Sequence, residues 1–212
     1  MTREPRDPAT AAHKQALRQS LRAARRAVRG RAAAQAAAAL TWRVQHLPIW
    51  QRARVVGLFL SGDGEIETTA LIHAAHQAGK HVALPVIRPP RGQRGRRAVL
   101  QQGALVFRDY QPGDALRPGW LGIPEPIRTH RRVIPLNTLD LLLMPLVGFD
   151  DQGHRLGMGG GFYDRTLAAR TRFRRPRLVG IAHACQQVSA LPSEPWDQPL
   201  EACVTDQRTL TW

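Results

Sequence analysis

The chain has 212 residues, 43% of them hydrophobic, enough to bury one sizeable core, and residues 1–212 are expected to form a single domain. Lysine and arginine outnumber aspartate and glutamate 31 to 16, and the formal net charge of +15 points to an anionic partner: nucleic acid, a phospholipid surface or a polyanionic small molecule. Only 6% of residues are aromatic and none alternate with arginine, which counts against single-stranded nucleic acid, so nucleic acid is not required as a partner.

The first thirty residues are arginine-rich, but Glu4, Pro5, Asp7 and Pro8 interrupt them and no apolar core with a cleavage site follows, so a cytoplasmic protein without a secretory signal is expected. From about residue 8 to 46 the sequence reads as a basic helical segment, divided at Gly30. Leu17, Leu21, Ala24 and Val28 recur at helical spacing and should pack on the body, while Lys14, Arg18, Arg22, Arg25 and Arg29 fill other faces. Solvation is the plain reading of those arginines, and Arg22→Ala and Arg25→Ala are expected to be nearly silent.

Short apolar and β-branched runs then alternate with helical stretches. VVGLFL (55–60), a helix from about Glu67 to Gly79 and HVALPV (81–86) come first. AVLQQGALVF (98–107), LDLLLMPL (139–146), a helix from about Phe162 to Arg170, LVGIAH (178–183) and ACVT (202–205) follow. This alternation predicts an α/β fold with a mostly parallel sheet. The near-continuous apolar run LDLLLMPL suits a central strand buried on both faces. It is interrupted at Pro145 and is far short of the roughly 20 residues that cross a bilayer, so no membrane span is expected. RPPRGQRGRR (88–97) reads as a solvated loop, and Cys185 and Cys203, in no CxxC or Cys/His cluster, read as buried thiols.

RLGMGGGFYDR (155–165) leaves the strongest strand and enters a helix. Backbone N–H groups in such a glycine-rich loop, with the positive end of a helix, suit a phosphate in the crevice beyond the strand ends. Neither a Lys-Ser/Thr pair nor the dinucleotide GxGxxG spacing is present. A strain-relieving flexible turn is the competing reading.

FDDQGHRLGMGGGFYDR resembles the motif of the 5-formyltetrahydrofolate cyclo-ligase (5,10-methenyltetrahydrofolate synthetase) family. KQALR (14–18), FLSGDGEIET (59–68), GKHVALPV (79–86), FRDYQPGDAL with GIPEP (107–126) and LPSEPWDQPLEACVT (191–205) are similar to further family segments in order and spacing. The resemblance implies a single three-layer α/β/α domain of the NagB/RpiA/CoA-transferase-like kind, an ATP-binding monomer using Mg²⁺, and 5-formyltetrahydrofolate, polyglutamylated or not, as substrate.

By the same resemblance Lys14 and Arg18 would reach ATP, and Arg155, Leu156, Gly157, Met158, Gly159, Gly160, Gly161, Phe162 and Tyr163 would wrap its phosphates. Residues Met158 to Phe162, with Leu60 and Glu65, would contact the folate, and Asp164 and Asp197 would hold Mg²⁺. Lys14, Arg18 and Arg155 would stabilise charge, with no nucleophilic side chain. Some relatives carry Gly-Lys-Gly-Tyr-Tyr where this chain has Gly160, Gly161, Phe162 and Tyr163, so a lysine charge and one phenol are missing. Glu201 stands where an aspartate is often seen, and Trp120 lies near the family's substrate-facing aromatic.

Other candidates are weaker. His73 and His76, at i and i+3, could share a metal but lack a third ligand nearby in sequence. His154 and His183 read as hydrogen-bonded structural histidines at the crevice rim. Another phosphate-handling enzyme on a similar sheet, such as a sugar-phosphate isomerase or acyl-CoA transferase, and a basic nucleic-acid-binding protein are the alternative functions.

Overall fold

The computed structural model describes residues 8–92, 95–127, 132–168, 175–194 and 197–212. Its elements run α1 (Pro8–Ala27), α2 (Gly30–Gln45), α3 (Pro48–Arg52), β1 (Val55–Gly57), α4 (Thr69–Gln77), β2 (His81–Arg88), α5 (Arg96–Gln102) and β3 (Ala104–Tyr110). After them come β4 (Leu116–Pro118), β5 (Pro124–Pro126), β6 (Val133–Ile134), β7 (Leu141–Pro145), β8 (Gly148–Phe149) and β9 (Arg155–Leu156). The chain ends with α6 (Phe162–Leu167), β10 (Arg177–Ala182), β11 (Ala202–Thr205) and β12 (Thr209–Thr211).

Among the described residues eight strands form one sheet in the order β12-β11-β10-β7-β1-β2-β3-β6. The central run from β11 to β2 is parallel throughout. Antiparallel β12 closes one edge, and antiparallel β3 and β6 close the other. The sheet is therefore mostly parallel, as the strand and helix alternation predicts.

Strand β7 sits in the middle, and its alternation shows why the run is apolar throughout. Leu141 and Leu143 face a layer built from α2 and α4, with Leu40, Val44, Leu71 and Ile72. Leu142 and Met144 face the opposite layer, where Val99 of α5 and Phe162 and Leu167 of α6 pack. Each fully buried leucine contributes about 1.5–3 kcal/mol relative to exposure, so this strand anchors both layers.

Several boundaries differ from expectation. Residues 98–107 are not one strand: Arg96–Gln102 is helical and only Ala104–Tyr110 is extended. Gly103 makes the break, donating its N–H to the Val99 carbonyl at 2.8 Å where a Cβ would meet that same oxygen. Strand β1 stops at Gly57 rather than continuing to Leu60, and α4 is shorter than predicted at both ends. The last two positions of the helix expected to reach Arg170, and Gln93 and Arg94 of the arginine-rich loop, lie outside the described residues. Cys203 is buried but Cys185 is exposed, at the surface turn after β10. No described helix is long and apolar enough to cross a membrane.

Candidate active site

The carboxyl ends of β1, β7 and β10 open onto one rim, and α1 runs along it. Its apolar stripe explains the docking: Leu21 is buried and Leu17 half-buried against Val147, Leu156 and Leu191, residues beyond the sheet end rather than on its face. Leu21 comes so close to Gly148 that a Cβ there would lie 2.5 Å from its Cδ1. This contact leaves the polar residues of α1 facing the rim.

Arg18 Nε donates to the Gly157 carbonyl at 2.9 Å. Its guanidinium also lies against Gly159, whose φ of 92° suits glycine. The loop itself follows a short hairpin of β8 and β9. Gly157, Met158 and Gly159 are exposed, and Gly161, in the left-handed region at φ 64°, starts α6. The Phe162 ring lies over Gly160, where a Cβ would come within 2.8 Å of it, and Arg165 stacks on the same ring. A larger residue at 160 therefore needs a different ring position at 162.

Arg155, nearly buried, joins two segments: its guanidinium donates to Asp164 Oδ1 and to the Gln198 carbonyl. Lys14 Nζ lies 3.5 Å from both Glu194 and Asp197. It thus meets the C-terminal segment. Both carboxylates assigned to the metal are answered by a cation, and among the described residues no group of three or more His, Cys, Asp or Glu gathers. His73 is exposed on α4 and His76 half-buried, without such a group around them.

The turn after β1 forms the facing wall. Leu60 is half-buried against the core, and Gly62 N–H donates to Glu65 Oε2 at 3.1 Å. Burial raises the Glu65 carboxyl to about 6; the Arg25 charge and the Gly62 amide pull against that rise without cancelling it. Burial also pushes the Tyr163 phenol above its ordinary value, with Glu65 adding to the rise and Arg155 opposing it. Asp63 behaves oppositely: burial would raise it, but hydrogen bonds from Arg22, Arg26 and Arg25 hold it at about 2.

Arg22 and Arg25 are not the solvated residues the sequence suggests. Arg22 Nε meets Asp63 Oδ2 at 2.9 Å. Arg25 is fully buried and reaches the Asp63 carboxylate, the Asp63 carbonyl and the Leu146 carbonyl. The available signal was position: Arg25 falls four residues after Leu21 and three before Val28, inside the apolar stripe.

The two rim histidines differ. His154 Nδ1 pairs with Asp150 Oδ2 at 2.9 Å. His183 is buried at the end of β10, its Nδ1 without a hydrogen-bond partner among the described residues, and burial lowers its pKa despite Asp206. Trp120 lies beside an open depression with Arg117, Pro118, Gly119 and Glu125, and Glu125 Oε1 accepts from the Ile87 N–H near the carboxyl end of β2. Glu201 pairs with Arg177 and closes the start of β10 instead of joining Asp197.

A mostly parallel sheet covered on both faces, with a glycine loop and basic side chains at its carboxyl rim, defines an α/β protein of the kind that holds ligands in that crevice. The chain belongs to the 5-formyltetrahydrofolate cyclo-ligase family, whose sequence model matches residues 10–206, and is an enzyme of that type. It is 44% identical over 170 residues to 5-formyltetrahydrofolate cyclo-ligase of Escherichia coli K12, covering 80% of this chain and 87% of that protein. The Haemophilus influenzae enzyme of the same name is 42% identical over 166 residues, 78% of this chain and 82% of that one. The Aquifex aeolicus 5,10-methenyltetrahydrofolate synthetase structure superposes with a TM-score of 0.74 at 26% identity, covering 93% of this chain and 92% of that chain.

Proposed function

We propose that the protein converts 5-formyltetrahydrofolate to 5,10-methenyltetrahydrofolate, consuming ATP and releasing ADP and phosphate. The formyl oxygen attacks the γ-phosphorus and ADP leaves; N10 then adds to the activated carbon, loses its proton, and phosphate departs to leave the cyclic bridge. No side-chain nucleophile is required, so the protein's part is positioning and charge neutralisation.

The observation that carries the reading is the arrangement around the glycine loop. Arg18 holds the loop at Gly157 while Arg155 and Lys14 stand beside Asp164 and Asp197. Backbone N–H groups from Gly157 to Tyr163, with Lys14, Arg18 and Arg155, are suited to a triphosphate. Met158 to Phe162, Leu60 and Glu65 would take the folate side, with the Glu65 carboxylate accepting from the donor-rich pterin edge.

Asp164 and Asp197 fit Mg²⁺ as a pair of carboxylates that leave its remaining positions to phosphate oxygens and water, and do not fit a closed all-protein cage. The cation would supply neutralisation of phosphate charge as the formyl oxygen attacks. We further read the protein as a cytoplasmic monomer whose surplus positive charge attracts polyglutamate tails.

Mixing the full chain with Mg-ATP and 5-formyltetrahydrofolate and recording the methenyl absorbance in acid tests the reading. Product should accumulate only when both substrates are present. A flat trace from folded protein would overturn it.

A further inference from the structure

Arg25 sits where the two walls of the crevice meet. Its Nε donates to the Asp63 carbonyl at 3.0 Å, one terminal nitrogen to Asp63 Oδ2 at 2.8 Å, and the other to the Leu146 carbonyl at 3.2 Å. That last nitrogen is also 3.6 Å from Glu65 Oε1, and the nitrogen facing Asp63 lies 4.0 Å from Met158 Sδ. One guanidinium therefore touches the turn after β1, the end of β7 and the glycine loop.

Burying a guanidinium completely is costly, and a well-packed apolar residue often serves stability as well. Two features suggest what the cost secures. The Asp63 backbone has φ 53°, the one positive value at a non-glycine residue among those described, in a left-handed conformation that few side chains adopt. Its carboxylate is gathered by Arg22, Arg25 and Arg26 of α1. The turn that carries Glu65 thus has a left-handed residue of a kind that tolerates it, and that residue is held from α1.

We propose that Arg25 is a positioning residue for the reaction: its guanidinium, with Asp63 as the strut, holds the Glu65 carboxylate aimed into the crevice in fixed register with the glycine loop. This rests on the functional reading above. Glu65 is faced by Arg25 from α1, Asp63 from its own turn and Tyr163 from α6, and the Arg25 guanidinium contacts both the Glu65 turn and Met158 of the glycine loop. The planar fork is what the role requires. A lysine keeps the charge and loses the simultaneous grip on Asp63, Leu146 and Glu65.

The test is a thermodynamic cycle on the full chain, by calorimetric titration with 5-formyltetrahydrofolate and separately with Mg-ATP. Arg25→Lys should weaken folate binding about tenfold and Mg-ATP binding about twofold at most, and in a Glu65→Gln background its folate effect should nearly vanish. Asp63→Asn, which tolerates the left-handed backbone, should show the same coupling and serves if Arg25→Lys folds poorly. Additive folate penalties, or a lowered melting temperature with both affinities unchanged, would overturn the proposal and leave Arg25 a packing residue. A wild type that binds neither ligand and forms no methenyl product would sink the functional reading, and this inference with it; an active wild type with additive penalties sinks the inference alone.

Discussion

Arg18 donates its Nε hydrogen to the Gly157 carbonyl at 2.9 Å, and this bond fixes the first half of α1 to the loop that precedes α6. The same side chain covers Gly159, so one residue shapes two positions of the loop proposed to hold the triphosphate.

Arg18→Ala should therefore raise the Michaelis constant for ATP about tenfold or more, since a charge-assisted hydrogen bond to a phosphate is worth about 1.5–3 kcal/mol. Arg29, exposed at the N-terminal cap of α2 with its Nε donating to the Arg26 carbonyl, is the control. Arg29→Ala should leave the constant unchanged. Steady-state kinetics at varied ATP decide it, and equal small effects would reduce α1 to a cover.

The Glu65 carboxyl gives a prediction about pH. Its folded value of about 6 lies above the reference of 4.5, so between these values the folded state binds more protons than the unfolded one. Stability therefore falls as pH rises through that window, by about 2 kcal/mol once pH exceeds both values. Glu65→Gln should be more stable than wild type at pH 8, by an amount that shrinks towards pH 5, while losing folate affinity. Urea unfolding of both proteins at the two pH values measures it. A less stable variant at pH 8 would show that Arg25 more than compensates the burial.

How far the sequence carries depends on which interaction sets a position. Periodicity made the sheet, the central place of 139–146 and the break at Gly30 legible, because burial of a strand on both faces leaves no polar position. It failed at 98–107, where the same apolar residues serve a helix and then a strand, and only the turn at Gly103 separates them. At the site, the glycine loop was visible as composition, whereas the Arg25 and Asp63 pair was not. Its two members are 38 residues apart, and an arginine on an exposed-looking helix reads as solvated until its partner is known. The Lys14 partners were illegible for a similar reason: Glu194 and Asp197 arrive from the far end of the chain.

Lys80 separates stability from function. Its ammonium is buried beneath the Trp50 ring and donates to the Trp50 and Ala53 carbonyls at 2.7 Å each, which satisfies the C-terminal end of α3. Lys80→Met removes both bonds; the Trp50 carbonyl keeps the Ala53 N–H, but the Ala53 carbonyl loses the ammonium. Unfolding free energy should drop by about 2–3 kcal/mol, with both Michaelis constants unchanged because no described contact links Lys80 to the rim. Denaturant melts alongside kinetics at a temperature where the variant is folded provide the check, and a selective change in substrate affinity would contradict it.

Asp164 and Asp197 carry the last prediction, which turns on the cations already beside them. Arg155 holds Asp164 and also the Gln198 carbonyl, so it spans the gap between α6 and the segment that bears Asp197. Lys14 holds Asp197 from the other side. If Mg²⁺ enters with the triphosphate, these two carboxylates must turn from their protein partners to the metal, and Arg155 and Lys14 are then available to the phosphate oxygens. Asp164→Asn and Asp197→Asn remove an anionic ligand while keeping shape, and partly exposed ion pairs contribute at most about 1 kcal/mol. Each variant should fold with a melting temperature near wild type, turn over poorly at limiting Mg²⁺, and recover part of the loss as Mg²⁺ is raised. Arg155→Lys, which keeps a charge but cannot bridge both groups, should weaken turnover without shifting the Mg²⁺ requirement. Titrating Mg²⁺ at fixed ATP for the three variants separates these roles, and normal turnover of either asparagine variant at limiting Mg²⁺ would remove that residue from the metal site.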